Sequence, residues 1–325
     1  MKHTLKVTLF LLSFFVLAQV TGLWLINKDA SITINDDGSI SVSHSDTSIG
    51  ERPKTEGFGS FIYLTIGVAI GTIIVLILVK FKKTNIWRYW FFLAVWMALS
   101  IAIGVLVKTK IFFDYDVAMI IALILAIWKI WRPNIFIHNL TEVLIYSGIA
   151  VLLVPIFDVF WAIMLLIAIS LYDMYAVWKS KHMVKMAKFQ TKSNVFAGLM
   201  IPYKVKDNDY SGKSINDKIS KSINVKSINN SSLKIKNLSV KKPKTAILGG
   251  GDVVFPLIMT GAVMENLLRE GLTKSQAFLQ SSIMILTTTI ALALLFFFAK
   301  KDKFYPAMPF VTAGCLLGWA IVMII

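Results

Sequence analysis

The sequence predicts an all-α membrane protein with nine transmembrane helices. Hydrophobic residues make up 56% of the 325-residue chain, whereas soluble domains contain roughly 45–50%. Apolar runs long enough to cross a bilayer, about 20 residues each, recur along the chain. Lysine and arginine collect in alternate connecting segments, as expected where positive charge stays on the cytoplasmic side. The net charge of +16 is therefore assigned to membrane orientation, and no nucleic-acid partner is predicted.

Nine apolar runs account for most of the chain, and each is predicted to cross the membrane. The first run could also be a signal peptide, but it exceeds the usual length of about 7–15 apolar residues in such a signal. An uncleaved first helix is therefore predicted. The predicted spans are 5–26, 58–79, 87–107, 112–130, 135–156, 158–178, 246–264, 276–299 and 304–325.

The spans divide the chain into three regions. Residues 1–178 hold spans one to six, with a polar outer loop at 27–57 for which a hairpin and a disordered loop remain equally open. Residues 179–244 form a basic cytoplasmic loop, predicted to be partly disordered because of its many Lys, Ser and Asn residues. Residues 245–325 hold spans seven to nine. The distribution of positive charge predicts a cytoplasmic N-terminus and an outer C-terminus.

Two aspartates lie in apolar spans, where charge is costly and usually functional. Asp173 lies about six residues before the basic loop opens, and Asp252 about eight residues after it closes. Because the two helices are antiparallel, both carboxylates are predicted at nearly the same depth on the cytoplasmic side. Paired carboxylates share a proton, so one can act as a base toward water while the other protonates an amide carbonyl.

Three consecutive glycines, Gly249, Gly250 and Gly251, directly precede Asp252. Glycine weakens a helix by about 1 kcal/mol relative to alanine and permits close backbone approach. Irregular backbone at membrane depth is tolerated where it lines a wet cavity. The glycines therefore predict a pliable entry to the seventh span beside such a cavity.

The last span opens with Pro306-Ala307-Met308-Pro309. The two prolines lack backbone donors and resist regular helix. They are predicted to leave unpaired carbonyls near the depth of the aspartates, with which an extended substrate strand could pair.

These motifs together resemble those of the presenilin-type intramembrane aspartyl proteases, the G-x-G-D family that also contains the signal peptide peptidases. Tyr172-Asp173 resembles the Y-D motif of that family, and Gly249-x-Gly251-Asp252 resembles its G-x-G-D motif. Pro306-Ala307-Met308-Pro309 resembles its P-A-L motif, with methionine in place of leucine. The segment 171–183 is particularly similar to archaeal presenilin homologues. The resemblance covers nearly the whole chain.

The resemblance implies a presenilin-like fold and the hydrolysis of peptide bonds within transmembrane segments. Asp173 and Asp252 would be the catalytic pair, with water as the nucleophile and neither a metal nor an organic cofactor. The substrates would be transmembrane proteins or peptides in the lipid bilayer of an archaeal or prokaryotic cell, and a homo-oligomer is left open. The implied active-site or substrate-binding residues are Tyr172, Gly249, Gly250, Gly251, Pro306, Ala307, Met308 and Pro309.

A proton- or cation-coupled transporter or channel remains the alternative, because such proteins also use intramembrane carboxylates and glycine-broken helices. Inverted repeats would favour it, and the sequence shows no convincing one. Glu142 and Asp158 are predicted to lie at the membrane interface. Gly314 and Gly318 have the spacing of a close helix contact and predict tight packing of the last span.

Overall fold

A computed structural model of the chain describes residues 5–107, 110–111, 115–132, 134–180, 186, 189–190, 195–203, 244–299 and 305–325. Within these ranges the chain forms nine α-helices of 15 residues or more. Seven of them are long and apolar enough to cross a membrane, and the other two are shorter apolar helices. The predicted all-α membrane architecture is confirmed.

The helices follow the predicted spans closely. They are α1 (Leu5–Asp29), α2 (Phe58–Lys80), α3 (Thr84–Leu106), α4 (Val117–Trp131), α5 (Ile135–Leu153), α6 (Val159–Met174), α7 (Gly251–Arg269), α8 (Lys274–Phe298) and α9 (Met308–Val322). A 3-10 helix (Val154–Ile156) extends α5, and a π-helix (Tyr175–Lys179) extends α6. Three strand pairs are β1 (Ala30–Ile34) with β2 (Ile40–His44), β3 (Lys110–Ile111) with β4 (Tyr115–Asp116), and β5 (Gly198–Tyr203) with β6 (Lys244–Gly249).

The chain divides into two compact units. The larger one, residues 1–201 and 247–325, contains all of these helices. The second comprises residues 202–246, of which the structure describes 202–203 and 244–246. The disorder predicted for part of the basic loop falls outside the described residues and stays a prediction.

The central helix of the larger unit is α7. It packs against α1, α5, α6, α8 and α9, and 83% of its most apolar stretch is buried. The corresponding value for α2 is 6%, so α2 lies at the periphery with most of its surface free for lipid. The helix that carries Asp252 is thus the most enclosed of the candidate spans.

Two glycines allow α8 and α9 to approach each other closely. A Cβ atom on Gly314 would lie 2.8 Å from the Cα of Thr288, and one on Gly318 would lie 2.8 Å from the Cα of Met284. Any side chain at either position would therefore push α8 and α9 apart. The predicted tight packing of the last span is confirmed.

The seventh helix begins later than predicted. Residues 244–249 form β6 rather than helix, and Asp252 is the second residue of α7. The backbone N–H of Gly250 donates to the carbonyl of Ala197 at 3.4 Å. This bond to the residue before β5 satisfies the Gly250 N–H at a point where consecutive glycines would make a poor helix.

The outer polar segment contains a hairpin, one of the two alternatives left open by the sequence. Strands β1 and β2 pair antiparallel, with Ile32 opposite Val42. The turn between them uses Gly38 at φ +81°, a conformation that favours glycine. The N–H of Asn35 donates to the carbonyl of Ser39 at 2.9 Å and closes the turn.

A buried ionic cluster ties this hairpin to the helices. His44 on β2 lies 2.9 Å from Asp29 through Nδ1 and 2.9 Å from Glu265 through Nε2. Arg52 also donates to Asp29 at 2.6 Å. Since Asp29 ends α1 and Glu265 lies on α7, the cluster fixes the hairpin to the end of α7 remote from Asp252.

Candidate active site

Three helix ends meet around Asp173 and Asp252. Asp173 lies in the last turn of α6, Asp252 in the first turn of α7, and α9 begins at Met308. Helix α6 packs against both α7 and α9. Both aspartates consequently line one cavity of about 160 Å³.

Asp173 is held by the start of α9. Its side chain is 5% exposed, and its Oδ2 accepts a hydrogen bond of 3.1 Å from the backbone N–H of Met308. Met308 is the first residue of α9, so this N–H has no partner within the helix. The positive end of the helix dipole also favours a carboxylate at this position. The interaction offsets part of the cost of burying Asp173.

Asp252 lies at a second helix N-terminus, that of α7, and is partly exposed to the cavity. The backbone of Gly249 lies close to its carboxylate. A Cβ on Gly249 would lie 3.2 Å from the Asp252 Oδ2, so the carboxylate folds back over this glycine. Two helix N-termini therefore face the two carboxylates, and the charge of Asp173 acts on Asp252.

The other two glycines of the motif also face close neighbours. A Cβ on Gly250 would lie 3.0 Å from Cε1 of Tyr146, and one on Gly251 would lie 3.3 Å from Cε2 of Phe255. Gly249 and Gly251 line the cavity, whereas Gly250 lies outside its lining. The glycine run thus allows aromatic rings to approach the backbone beside Asp252.

Tyr172 connects the site to the peripheral helix α2. The side chain lines the cavity and is 38% exposed. Its hydroxyl donates to the Thr72 hydroxyl at 3.4 Å. Directly afterwards α6 widens into a π-helix, where the N–H of Ser180 bonds to the carbonyl of Tyr175 at 3.1 Å. Such π-turns occur frequently at functional sites.

The Pro-Ala-Met-Pro segment contributes mainly through Met308, which is 3% exposed and lines the cavity. Pro306, Ala307 and Pro309 lie outside the lining. The predicted run of unpaired carbonyls is wrong at Ala307, whose carbonyl accepts from the N–H groups of Phe310 and Val311 at 3.1 Å each. Pro309 lacks a backbone N–H and therefore cannot donate a hydrogen bond to the carbonyl of Pro306.

Several residues that line the cavity could not be recognised as site residues from the sequence. Most of the wall is apolar, and α2 contributes to it although its sequence reads as a lipid-facing helix. These additional lining residues are Val68, Thr72, Ile169, Ala176, Met186 and Phe255. Within the described ranges, no three His, Cys, Asp or Glu side chains come together as a metal site.

The first turn of α7 is braced by α1. Pro256 has no N–H, so the backbone carbonyl of Asp252 loses its usual helical partner four residues later. One residue further, the Gln19 amide of α1 donates to the carbonyl of Val253 at 2.7 Å. Gln19 is 1% exposed, and its role could not be recognised without the helix packing.

The prediction that Glu142 lies at the membrane interface is wrong. Glu142 is 1% exposed and accepts a hydrogen bond of 2.7 Å from the Nζ of Lys129 on α4. The Lys129 Nζ also donates to Thr141 at 3.0 Å. Burial is tolerated because the two charges compensate each other and find hydrogen-bond partners.

Asp158 lies at the start of α6, as its predicted turn position indicated. Its carboxylate accepts a hydrogen bond of 2.8 Å from the N–H of Trp161 and caps the helix. This contact gives Asp158 a structural role away from the cavity.

Comparison with solved structures shows the same fold. Two crystal forms of a presenilin-family intramembrane aspartate protease, in space groups P2 and C222, resemble this chain. The first has a TM-score of 0.57 at 14% identity, covering 99% of this chain and 97% of that one. The second has a TM-score of 0.58 at 13% identity, covering 98% of both. No curated protein matches the sequence.

The family model described as signal-peptide peptidase, presenilin aspartyl protease matches residues 13–325. The match includes both aspartates, the glycine motif and the Pro-Ala-Met-Pro segment. It therefore covers every element that forms the cavity. The chain belongs to the signal-peptide peptidase and presenilin family of aspartyl proteases, and is an integral membrane protein with the presenilin fold.

Proposed function

We propose that this chain hydrolyses peptide bonds within transmembrane segments by means of an Asp173–Asp252 pair that activates water. The observation that carries the proposal is that the two carboxylates, from different helices, line one cavity. Family membership supports an intramembrane aspartyl protease. The contacts of the two aspartates support the assignment of this reaction to them.

The reaction needs one ionised and one protonated carboxylate. The ionised carboxylate takes a proton from water, whose oxygen forms a bond to the scissile carbonyl carbon. The protonated carboxylate gives its proton to the carbonyl oxygen, so a neutral tetrahedral diol forms. The carboxyl that took the water's proton then gives it to the nitrogen as the C–N bond breaks, while the other carboxylate takes a proton from a diol hydroxyl, which leaves a carboxylic acid and an amine. No covalent link to the enzyme forms.

The surroundings of the pair support an extended segment as the substrate. An α-helix hides its amide bonds, so a transmembrane substrate must unwind locally before water can attack it. Strand β6 ends at Gly249, directly beside Asp252, and a two-stranded sheet offers an edge for a further strand. Tyr172 and Met308 line the cavity beside the aspartates, where they would contact the residues flanking the cleaved bond.

The substrate would enter from the lipid beside α2. This helix is the least buried of the candidate spans, yet Val68 and Thr72 on it line the cavity. Few contacts must therefore break for α2 to move away from α6. A route through the peripheral helix avoids disturbing α7.

The proposed membrane orientation follows the charge distribution. The N-terminus and the basic loop at 179–244 are cytoplasmic, and the C-terminus is outside. In this orientation the site opens toward the cytoplasmic side, between the helices at 1–178 and those at 245–325. Single-span proteins with an outer N-terminus are the proposed substrates.

The test is cleavage of a single-span reporter by the purified chain in proteoliposomes, with fragments identified by mass spectrometry. Asp173→Asn and Asp252→Asn keep the side-chain shape but remove the acid, and each should lower kcat roughly 10³-fold or more. Asp36→Asn, in the exposed hairpin turn, is the matched control and should cleave normally. Cleavage retained by either active-site variant contradicts the proposal. Ion flux that persists in the presence of a hydroxyl-bearing peptide isostere would favour a transporter.

A further inference from the structure

Two buried hydroxyls, those of Ser170 on α6 and Thr312 on α9, bond to each other across the interface of these helices. Their oxygen atoms are 2.7 Å apart. The Thr312 hydroxyl also donates to the carbonyl of Leu166 on α6 at 3.4 Å. Ser170 is 7% exposed and Thr312 is 6% exposed, so both bonds are shielded from competing water. The side chain of Thr312 thus ties α9 to α6 by two buried polar contacts.

The direction of these bonds follows from the chemistry of the hydroxyl group, which has one hydrogen to donate. A carbonyl can only accept, so the hydrogen of Thr312 goes to Leu166. Ser170 must then donate to Thr312, which both donates to α6 and accepts from it. Thr289 on α8 behaves differently, because its hydroxyl donates to the carbonyl of Ile285 in its own helix at 2.6 Å. The Thr312 hydroxyl therefore acts as a link between two helices.

The pair lies about one helical turn from the bond that holds Asp173. Ser170 precedes Asp173 by three residues on α6, and Thr312 follows Met308 by four residues on α9. Residues at these spacings share one face of a helix and are separated along its axis by about 4.5 Å and about 6 Å. The interface of α6 and α9 is therefore joined at two levels. Two contacts one turn apart oppose both sliding and rotation of one helix against the other.

The bond between Asp173 and Met308 depends on this relative position. The residue before α9 is Ala307, whose side chain cannot cap the helix, and the carboxylate of Asp173 takes the place of a cap. At 3.1 Å the bond is near the long end of the usual range of about 2.7–3.2 Å. A shift of α9 by about 0.5 Å would break it. Since Asp173 and Met308 both line the cavity, such a shift would also displace a carboxylate of the site.

We propose that Ser170 and Thr312 are positioning residues that hold the start of α9 against α6, so that the Met308 N–H stays on the Asp173 carboxylate. This inference rests on the proposed function. Neither hydroxyl belongs to the described wall of the cavity, so the pair acts on the reaction through Met308 and Asp173. Its loss should therefore lower kcat, because a displaced catalytic group slows the chemical step. KM should change little.

The experiment measures kcat and KM of the full chain in proteoliposomes with a single-span reporter. Thr312→Val keeps the shape of the side chain and removes both of its bonds to α6, so kcat should fall about tenfold. Thr312→Ser keeps the hydroxyl and should restore kcat to within about twofold of the original chain. Thr289→Val makes the same substitution where the hydroxyl bonds within its own helix, and it should cleave as the original chain does.

A double-mutant cycle with Met308→Pro separates positioning from a general loss of stability. Met308→Pro removes the N–H that the pair places. Adding Thr312→Val to it should therefore lower kcat by less than about twofold more. Losses of about tenfold in both backgrounds overturn the proposal, since they show that Thr312 acts independently of that N–H. A loss that appears in KM instead of kcat also overturns it.

Ser170→Ala is the milder variant of the same link. It leaves the bond from Thr312 to Leu166 in place, so kcat should fall only about threefold. It carries the same cycle where Thr312→Val does not fold. An original chain that cleaves nothing refutes the proposed function itself. Normal cleavage by the original chain together with an unaltered kcat in Thr312→Val refutes only the role of the pair.

Discussion

The backbone N–H of Met308 donates a 3.1 Å hydrogen bond to the Oδ2 of Asp173. This bond links the last helix to a carboxylate that is separated from it by 135 residues of sequence. The Pro-Ala-Met-Pro segment therefore holds the aspartate through a backbone N–H rather than through a side chain. The exposed N–H groups of a helix start are well suited to this role.

Replacing Met308 should separate the role of its backbone from that of its side chain. Met308→Pro removes the donor at a position where proline is tolerated in a helix. A hydrogen bond to a charged group contributes about 1.5–3 kcal/mol, so kcat should fall roughly 10–100-fold. Met308→Leu keeps the N–H and nearly the same volume and should retain most activity. Equal activity in the two variants would contradict the role of the backbone.

Gly249 should be intolerant of any side chain. In Gly249→Ala the new methyl group lies 3.2 Å from the Asp252 Oδ2, so the carboxylate must shift by a few tenths of an ångström to make room. Activity should fall at least about tenfold, since small displacements of catalytic groups cost large factors in rate. Gly59→Ala, where a Cβ meets its nearest neighbour only at 4.0 Å, is the matched control. Reporter cleavage at saturating substrate measures the effect, and full activity in Gly249→Ala would refute it.

The Lys129–Glu142 pair should dominate the stability of the α4–α5 contact. Lys129→Met leaves the carboxylate of Glu142, which is 1% exposed, without its cation. Breaking a buried pair costs about 3–5 kcal/mol, and a denaturation midpoint in detergent measures the loss. The double variant Lys129→Met, Glu142→Leu should recover much of it because no charge is left buried. A double variant as unstable as the single one would show that the charges are not the cause.

The cluster around His44 should make stability depend on pH. Burial lowers the pKa of His44, but the neighbouring carboxylates of Asp29 and Glu265 outweigh this and raise it above its ordinary value of 6.5. The stabilisation is therefore fully present below about pH 6.5 and is lost as the pH rises through the higher value of the folded chain. The other charges in the cluster are Arg52 on Asp29 and Arg269, which lies 3.6 Å from Glu265.

His44→Gln removes the titrating group and should flatten this pH dependence. Thermal unfolding followed at several pH values provides the measurement. A melting temperature of the original chain that rises through the same range would contradict the assigned sign. An equal slope in the variant would locate the effect elsewhere.

Much of the fold could be predicted from the sequence because membrane spans are local features. An apolar run of sufficient length must form a helix in lipid, so α1, α2 and α8 lie within a few residues of their predicted bounds. β6 was not predicted, since its partner β5 lies on the far side of the basic loop. For the same reason Glu142 was misplaced: its burial depends on Lys129 of another helix, which no periodicity within α5 reveals.

At the candidate site, the sequence located the motif residues but not their surroundings. An aspartate in an apolar run stands out by its charge, as Asp173 and Asp252 do. Thr72 and Gln19 do not stand out, because isolated polar residues are common in spans and their contacts depend on helix packing. Tyr146 does not stand out either, because its contact with Gly250 depends on how α5 packs beside the start of α7.

Because Pro256 removes one hydrogen bond of the helix, the opening turn of α7 is held to the rest of that helix by fewer bonds than a regular turn would be. Gln19 grips the same turn through the Val253 carbonyl. Any movement of α1 is therefore transmitted through Gln19 to the turn that carries Asp252.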